Sequence, residues 1–276
     1  MFFSGKLHHK GGYVGKNNYR YTLMEGKIAE ISPSGTESYP FDLSITKNVA
    51  ALWCSIILIL VVFLSVARAY KKNVGKPPKG LQSLLEPVII FIRDEVAKPS
   101  IGHKYEKYTP YLLTIFFFIW FNNMLGLVPF PPGGANLSGN LAVTGVLALF
   151  TMIITNFSGN KNYWKHIFNT PGVPIWLKIP PIMPLVELIS VFTRPFVLMI
   201  RLFANITAGH LITLGFLSLI FVFAQNNTAV GIGVTPVSLA FILFMNFLEL
   251  LVAFIQAYVF TFLSALYIGM AVEEHH

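Results

Sequence analysis

The chain has 276 residues, of which 54% are hydrophobic and only 12% are charged. A soluble domain usually carries about 25% charged residues, so this composition excludes an ordinary soluble protein. Several apolar runs are long enough to cross a bilayer as helices, whereas the alternating pattern of a membrane β-barrel is weak. The sequence therefore predicts an all-α, polytopic membrane protein.

The formal net charge of +8 does not indicate nucleic-acid binding, because the basic residues lie mostly outside the apolar runs. Loops that stay in the cytoplasm have this composition. The single cysteine, Cys54, lies within an apolar run, which excludes a disulfide framework and a cysteine-based metal site. The sequence has no Gly-rich phosphate loop, no HExxH motif and no Ser/His/Asp set. We therefore expect no bound nucleotide, metal or cofactor, and no catalytic site within this chain.

Residues 1–47 form a polar, extramembrane N-terminal segment of mixed charge. Two patches, 19–23 and 27–31, have the composition of short strands that pair with each other. We expect either a small hairpin or partial disorder here, with no chemistry. His8 and His9 are adjacent, which is not a metal-ligand spacing on a regular element. The segment also lacks the apolar stretch of a cleavable signal peptide.

Residues 48–276 are predicted to form the membrane domain, beginning with three spanning helices of ordinary length at about 48–69, 109–127 and 141–157. Between the first two, residues 81–98 carry apolar side chains on one helical face. This stretch is short and charged, so we predict an amphipathic helix at the membrane interface. Five basic residues and no acid lie between 68 and 80, which places that loop in the cytoplasm.

Two further helices are predicted at about 180–224 and 236–272. At about 1.5 Å per residue, the first would be roughly 65–70 Å long, whereas a hydrocarbon core is about 30 Å thick. The first stretch contains no turn signal, so a single tilted helix is favoured over a tight hairpin. The chain is thus predicted to end in a C-terminal hairpin of two long, strongly tilted membrane helices.

Polar residues are sparse in these two helices, and Arg201 is the most informative of them. An arginine at a bilayer centre costs about 2.5–3.5 kcal/mol even on the lenient insertion scale, so it normally faces water or a partner. Arginine stays protonated and can act as a fixed positive charge, whereas His210 and Glu249 can take up and release protons. An alternative is that Glu249 pairs with Arg201 or Arg194 as a buried ion pair that fixes packing.

Two asparagines within the predicted helix 109–127 also allow two interpretations. Asn122 and Asn123 either form hydrogen bonds between helices or line a hydrated path. The sequence favours neither interpretation over the other.

The stretch RLFANITAGH at 201–210 closely resembles the RLFxNxxAGH/E motif of subunit a of the F-type ATP synthase. The stretch QAYVF at 256–260 is similar to the last helix of the same family. The resemblance implies that Arg201 faces the carboxylates of a rotating c-ring and separates two aqueous half-channels. It matches Asn205 and Gln256 to polar positions near that arginine. It matches four further residues to positions along the channels: Glu187, Arg194, His210 and Glu249.

One difference concerns the titratable pair, because some members of that family have Glu at the position of His210 and His at that of Glu249. An exchange that keeps one acid and one imidazole is expected of two neighbouring residues, so we predict that His210 and Glu249 lie close together.

The resemblance implies a proton-translocating, non-catalytic stator subunit that couples proton flow to rotation and ATP synthesis. The implied partners are the c-ring, subunit b of the peripheral stalk and the lipid bilayer. A self-contained ion channel or secondary transporter is the alternative, although the inverted repeats common in transporters are absent from the sequence. A purely structural scaffold would not need Arg201 at membrane depth. The long polar N-terminal segment and basic loop favour a bacterial inner membrane over a mitochondrial one.

Overall fold

The computed structural model describes residues 13–14, 20–24, 27–32, 37–38, 46–72, 77–128, 137–168, 182–226 and 228–273. The chain divides into two compact units, Met1–Thr46 and Lys47–His276. His8 and His9, which the sequence excluded as metal ligands, lie outside the described residues.

The first unit contains a small antiparallel sheet with strand order β1-β2-β3-β4. Its strands are β1 (Tyr13–Val14), β2 (Arg20–Met24), β3 (Lys27–Ile31) and β4 (Glu37–Ser38). β2 and β3 pair from Arg20 opposite Ile31 to Met24 opposite Lys27, so the predicted strand pairing is confirmed, with β2 shifted by one residue. Across this pair the Tyr21 hydroxyl donates to Glu30 Oε1 at 2.7 Å.

The second unit is helical. Its helices are α1 (Lys47–Lys72), α2 (Leu81–Phe91), α3 (Lys98–Ile101), α4 (Tyr105–Leu127), α5 (Leu141–Ser158), α6 (Lys161–Phe168), α7 (Ile182–Asn226) and α8 (Thr228–Val272). Within the described ranges, five helical stretches are long and apolar enough to cross a membrane: Lys47–Lys72, Leu81–Leu127, Leu141–Ser158, Leu185–Gln225 and Thr228–Val272. The predicted fold class, an all-α polytopic membrane protein, is therefore confirmed.

The segment between α1 and α4 is more continuously helical than the sequence indicated. A π-helical turn, Ile92–Ala97, joins α2 to α3, and a 3-10 turn, Gly102–Lys104, joins α3 to α4. Gly102 has φ 70°, a conformation that glycine adopts without strain, and it interrupts the helix there. α4 starts at Tyr105 rather than at about 109, and the added turn buries Tyr108 in the core.

α7 and α8 each contain 45 residues, so each is roughly 67 Å long at about 1.5 Å per residue. α8 begins at Thr228 rather than at the predicted 236, and the stretch with two glycines that was expected to be a link is helical. The reason is a close approach of the two helices. A Cβ atom added to Gly231 would lie 2.7 Å from the Cα atom of Ala224 on α7.

The core of the helical unit is centred on α4, where Leu112, Phe116 and Ile119 are buried. α7 contributes Leu198 and Leu202 to the same cluster. α4, α5 and α8 are also joined by a short series of hydroxyl contacts. The Tyr111 hydroxyl lies 3.0 Å from Thr151 Oγ1, which lies 3.4 Å from Ser264 Oγ. One side of the α7–α8 hairpin therefore packs on the rest of the unit.

The C-terminal end of α8 is held by two other elements. Asn160, in the turn between α5 and α6, donates its backbone N–H to the carbonyl of Ala271 at 2.9 Å and its side-chain amide to that of Val272 at 2.8 Å. These bonds satisfy carbonyl groups that a helix end leaves without partners. On another side, Gly269 packs directly against the backbone of Ser100 in α3. Contacts with Asn160 and Ser100 thus fix the position of the C-terminal end of α8.

Candidate functional site

Three contacts fix the antiparallel register of α7 and α8. Two of them lie about one helical turn apart on α7, and the third lies near the far ends of the helices. The rings of Phe216 and Phe241 stack with centroids 5.0 Å apart, Thr213 Oγ1 donates to Glu249 Oε1 at 3.3 Å, and the Arg194 guanidinium lies 5.5 Å from the ring centroid of Tyr267.

This register places Arg201 level with the turn of α8 that carries Gln256. Gln256 is buried, with 7% of its surface exposed. Arg201 is exposed, although its neighbours Leu198 and Leu202 are each only 1% exposed and face the core. Arg201 therefore lies on the side of α7 that this unit leaves uncovered.

No carboxylate of the described residues lies within 4.0 Å of the Arg201 guanidinium. The ion pair found in the described ranges joins Arg93 and Asp94 at 2.8 Å, in a different helix. The alternative in which Glu249 neutralises Arg201 or Arg194 is therefore not realised in this part of the chain. A permanent cation that has no counter-ion among the described residues can interact with a carboxylate from another chain.

A first cleft, with several polar side chains in its lining, lies between α4, α7 and α8. Three predicted site residues line it together: Asn205, His210 and Glu249. The structure thus brings the predicted titratable pair to one cleft. The two side chains do not form an ion pair, because no His210 nitrogen lies within 4.0 Å of a Glu249 oxygen.

Asn123 also lines this cleft, and it forms the hydrogen bond between helices that one interpretation of the asparagines predicted. Its side-chain amide donates to the Ala253 carbonyl on α8 at 3.0 Å, while its Oδ1 atom is buried without a partner among the described residues. Asn122 instead donates to the carbonyl of Phe118 in its own helix at 2.7 Å. Asn123 therefore offers an unpaired acceptor beside His210 and Glu249.

The side chain of Glu249 packs against a glycine of the facing helix. A Cβ atom added to Gly209 would lie 2.7 Å from Glu249 Oε1 and 3.0 Å from its Cγ atom. Only a residue without a side chain allows this approach. The sequence motif that contains Gly209 therefore has a direct packing role, because it makes room for the carboxylate.

The second cleft lies farther toward the N-terminal end of α7, beside Arg194. Pro195 lines it and has no N–H group, so the carbonyl of Val191, also at the cleft, lacks its usual helical partner. The cleft is otherwise rich in hydroxyl and amide groups. Its polar lining residues are Thr151, Thr155, Asn156, Tyr163, Arg194 and Tyr267.

Tyr163, from the short helix α6, is the residue of this cleft that sequence reasoning missed. Its hydroxyl donates to Asn156 Oδ1 at 3.1 Å. Burial raises the pKa of the Tyr163 hydroxyl, while the charge of Arg194 lowers the pKa and that of Glu187 raises it. Both charged residues therefore lie near Tyr163. The sequence signal was only the mixture of aromatic and basic residues, which is typical of any membrane interface.

The seven predicted site residues thus fall into three groups along the hairpin. Arg194, with Glu187 near it, belongs to the second cleft. Asn205, His210 and Glu249 belong to the first cleft. Arg201 and Gln256 lie between the two clefts in the register of the helices. The arrangement is a fixed cation on an open helix face with polar, titratable clefts on either side along the chain.

These features define a class of protein. The chain is a polytopic helical membrane protein that carries titratable side chains within long apolar helices, as ion-translocating proteins do.

Comparison with known proteins identifies the family. Residues 49–269 match the family model of the ATP synthase A chain. The chain is 43% identical over 267 residues to ATP synthase subunit a of Chloroherpeton thalassium, which covers 92% of this chain and 76% of the relative. It is 45% identical over 261 residues to ATP synthase subunit a 2 of Chlorobaculum tepidum, covering 90% of this chain and 71% of the relative. The chain belongs to the ATP synthase A chain family, so the resemblance found at residues 201–210 is confirmed.

Proposed function

We propose that this chain is the proton-translocating, non-catalytic stator subunit of an F-type ATP synthase in a bacterial inner membrane. The observation that carries the proposal is the placement of Arg201. It is an exposed cation with no carboxylate of the described residues within 4.0 Å, on the open face of α7, between two polar clefts. The matched family and the bacterial relatives support the same role.

In this proposal Arg201 acts on carboxylates of a partner, the c-ring. A unit positive charge about 4 Å from a carboxylate favours the ionised acid by about 4 kcal/mol at an effective dielectric constant near 20. That energy corresponds to roughly 3 pKa units, which is enough to remove a proton from a membrane-buried acid. Because arginine does not release its own proton, it does not conduct protons past itself.

The two clefts serve as the aqueous half-channels in this proposal. Asn205, His210 and Glu249 line one of them. Arg194 lines the other, and Glu187 acts electrostatically on Tyr163 in that lining. Gln256, which is level with Arg201, offers an uncharged amide that can donate to a passing carboxylate. A proton that enters one cleft must travel on the ring to reach the other, and this requirement couples proton flow to rotation.

The remaining surface of the hairpin suits a membrane-embedded stator. Large apolar side chains are exposed on both helices, including Leu211, Leu243 and Phe247. Lipid tails and helices of partner subunits are the surroundings in which such side chains are stable. We propose that the c-ring covers the face with Arg201, and that subunit b of the peripheral stalk and lipid cover other faces.

The direct functional test is Arg201→Ala in the assembled synthase. We expect complete loss of ATP synthesis driven by a proton gradient, while ATP hydrolysis by the detached soluble part is unchanged. The matched control is Arg93→Ala, which removes an exposed arginine paired with Asp94 and should leave synthesis near the wild-type rate. Normal synthesis by the Arg201→Ala enzyme would exclude the proposed role.

A further inference from the structure

Thr213 differs from other threonines of α7 and α8 in the partner of its hydroxyl group. A threonine within a helix commonly donates to the carbonyl of its own preceding turn. Thr193 donates in this way to Ile189 at 2.9 Å, and Thr235 donates to Gly231 at 2.8 Å. Thr213 instead donates across the hairpin to Glu249 Oε1 at 3.3 Å. Its hydroxyl is thus directed to a carboxylate rather than to the backbone.

The two oxygens of Glu249 consequently have different surroundings. Oε1 receives the Thr213 hydroxyl and also rests over Gly209, where an added Cβ atom would lie 2.7 Å away. Oε2 has no hydrogen-bond partner among the described residues, and it is not one of the buried unpaired atoms of those ranges. Glu249 lines the first cleft, and Oε2 is its oxygen without a hydrogen bond among the described residues.

We propose that Thr213 is a positioning residue for Glu249. Its hydroxyl holds Oε1 against Gly209 and so leaves Oε2 as the oxygen that exchanges protons with the first cleft. The inference rests on the proposed function, because it assigns Glu249 to proton transfer.

The test uses the complete synthase in membrane vesicles, with proton-driven ATP synthesis as the readout and equal amounts of assembled complex. Thr213→Val keeps the shape of the side chain and removes the donor, whereas Thr213→Ser keeps the donor. We expect Thr213→Val to lower the rate about tenfold, the order expected from loss of one hydrogen bond to a charged group. We expect Thr213→Ser to restore most of the rate.

Thr193→Val is the matched control on the same helix, because its hydroxyl serves only its own backbone, and it should retain the wild-type rate. Equal losses for Thr213→Val and Thr213→Ser would overturn the inference in favour of packing, and so would an unchanged rate for Thr213→Val. Glu249→Gln distinguishes the role of Glu249 from that of Thr213. Full activity of Glu249→Gln contradicts the proposed role of Glu249 itself, whereas a slow Glu249→Gln with a normal Thr213→Val contradicts only the role of Thr213.

Discussion

Arg201 and Gly209 lie two turns apart on α7, and they differ in how far the sequence alone reveals them. Arg201 is conspicuous because a charge within a long apolar helix is costly, and the motif around it is specific. Gly209, Thr213 and Tyr163 act through contacts with other helices, so no pattern along the chain shows what they touch. Arg201 could be identified from the sequence because a charged side chain is unusual within an apolar helix.

Gly209→Ala tests whether proton-driven synthesis requires the packing of Glu249 against Gly209. The atoms that an added Cβ would meet are the carboxylate and Cγ of Glu249, at 2.7 and 3.0 Å. A flexible side chain moves more easily than a helix, so we expect the carboxylate to be displaced while the fold is kept. Proton-driven ATP synthesis should fall roughly tenfold or more, because small displacements of reacting groups have effects of this size.

Gly215→Ala is the matched control for that prediction. No atom lies within 4 Å of a Cβ atom added there, so the rate should be unchanged. Equal rates for Gly209→Ala and the wild type would show that synthesis does not require the contact between the Glu249 carboxylate and Gly209.

Among the secondary-structure elements, the apolar length of the sequence predicted the long helices. The predicted positions of their ends were less accurate. The predicted link before 236 contained two glycines, which normally weaken a helix by about 1 kcal/mol each relative to alanine. In the structure α8 nevertheless starts at Thr228, because Gly231 permits close contact with Ala224. A glycine that interrupts a helix and one that packs against a neighbouring helix look the same in a single sequence.

Gly269→Ala tests the docking of α3 on the end of α8. An added Cβ atom would overlap the carbonyl oxygen of Ser100, which is backbone and cannot rotate away. We expect a loss of about 1–3 kcal/mol of stability, the usual range for overpacking. The measurement is the thermal midpoint of the purified complex, together with the amount of subunit in the membrane.

The comparison variant on the same helix is Gly233→Ala, where an added Cβ meets no atom within 4 Å. It should keep the wild-type midpoint or raise it slightly, because alanine is the better helix former. Equal midpoints for the Gly269→Ala and Gly233→Ala complexes would contradict the proposed contact between α3 and α8.

At the scale of the whole molecule, composition and apolar length were sufficient for the fold class, and the five long apolar stretches confirm it. The division of the site into two clefts was not visible in the sequence. It depends on the register of α7 against α8 and on residues from α4, α5 and α6 that approach from distant parts of the chain. A single sequence likewise does not show what contacts the open face of α7.

The face that carries Arg201 includes Ala204 and Ala208, which are likewise exposed. Ala257 is near the level of Arg201 on α8, but it is completely buried, so it provides a control at similar depth. Cys54 is exposed and must first be replaced by serine, so that any disulfide bond involves the introduced cysteine.

Disulfide cross-linking to a cysteine placed beside the ring carboxylate of subunit c, in assembled membranes, tests most directly whether Arg201 faces the ring. We expect a cross-linked product from Ala204→Cys and Ala208→Cys and none from Ala257→Cys. Absence of a product from Ala204→Cys and Ala208→Cys in fully assembled complexes would contradict the claim that Arg201 faces the ring.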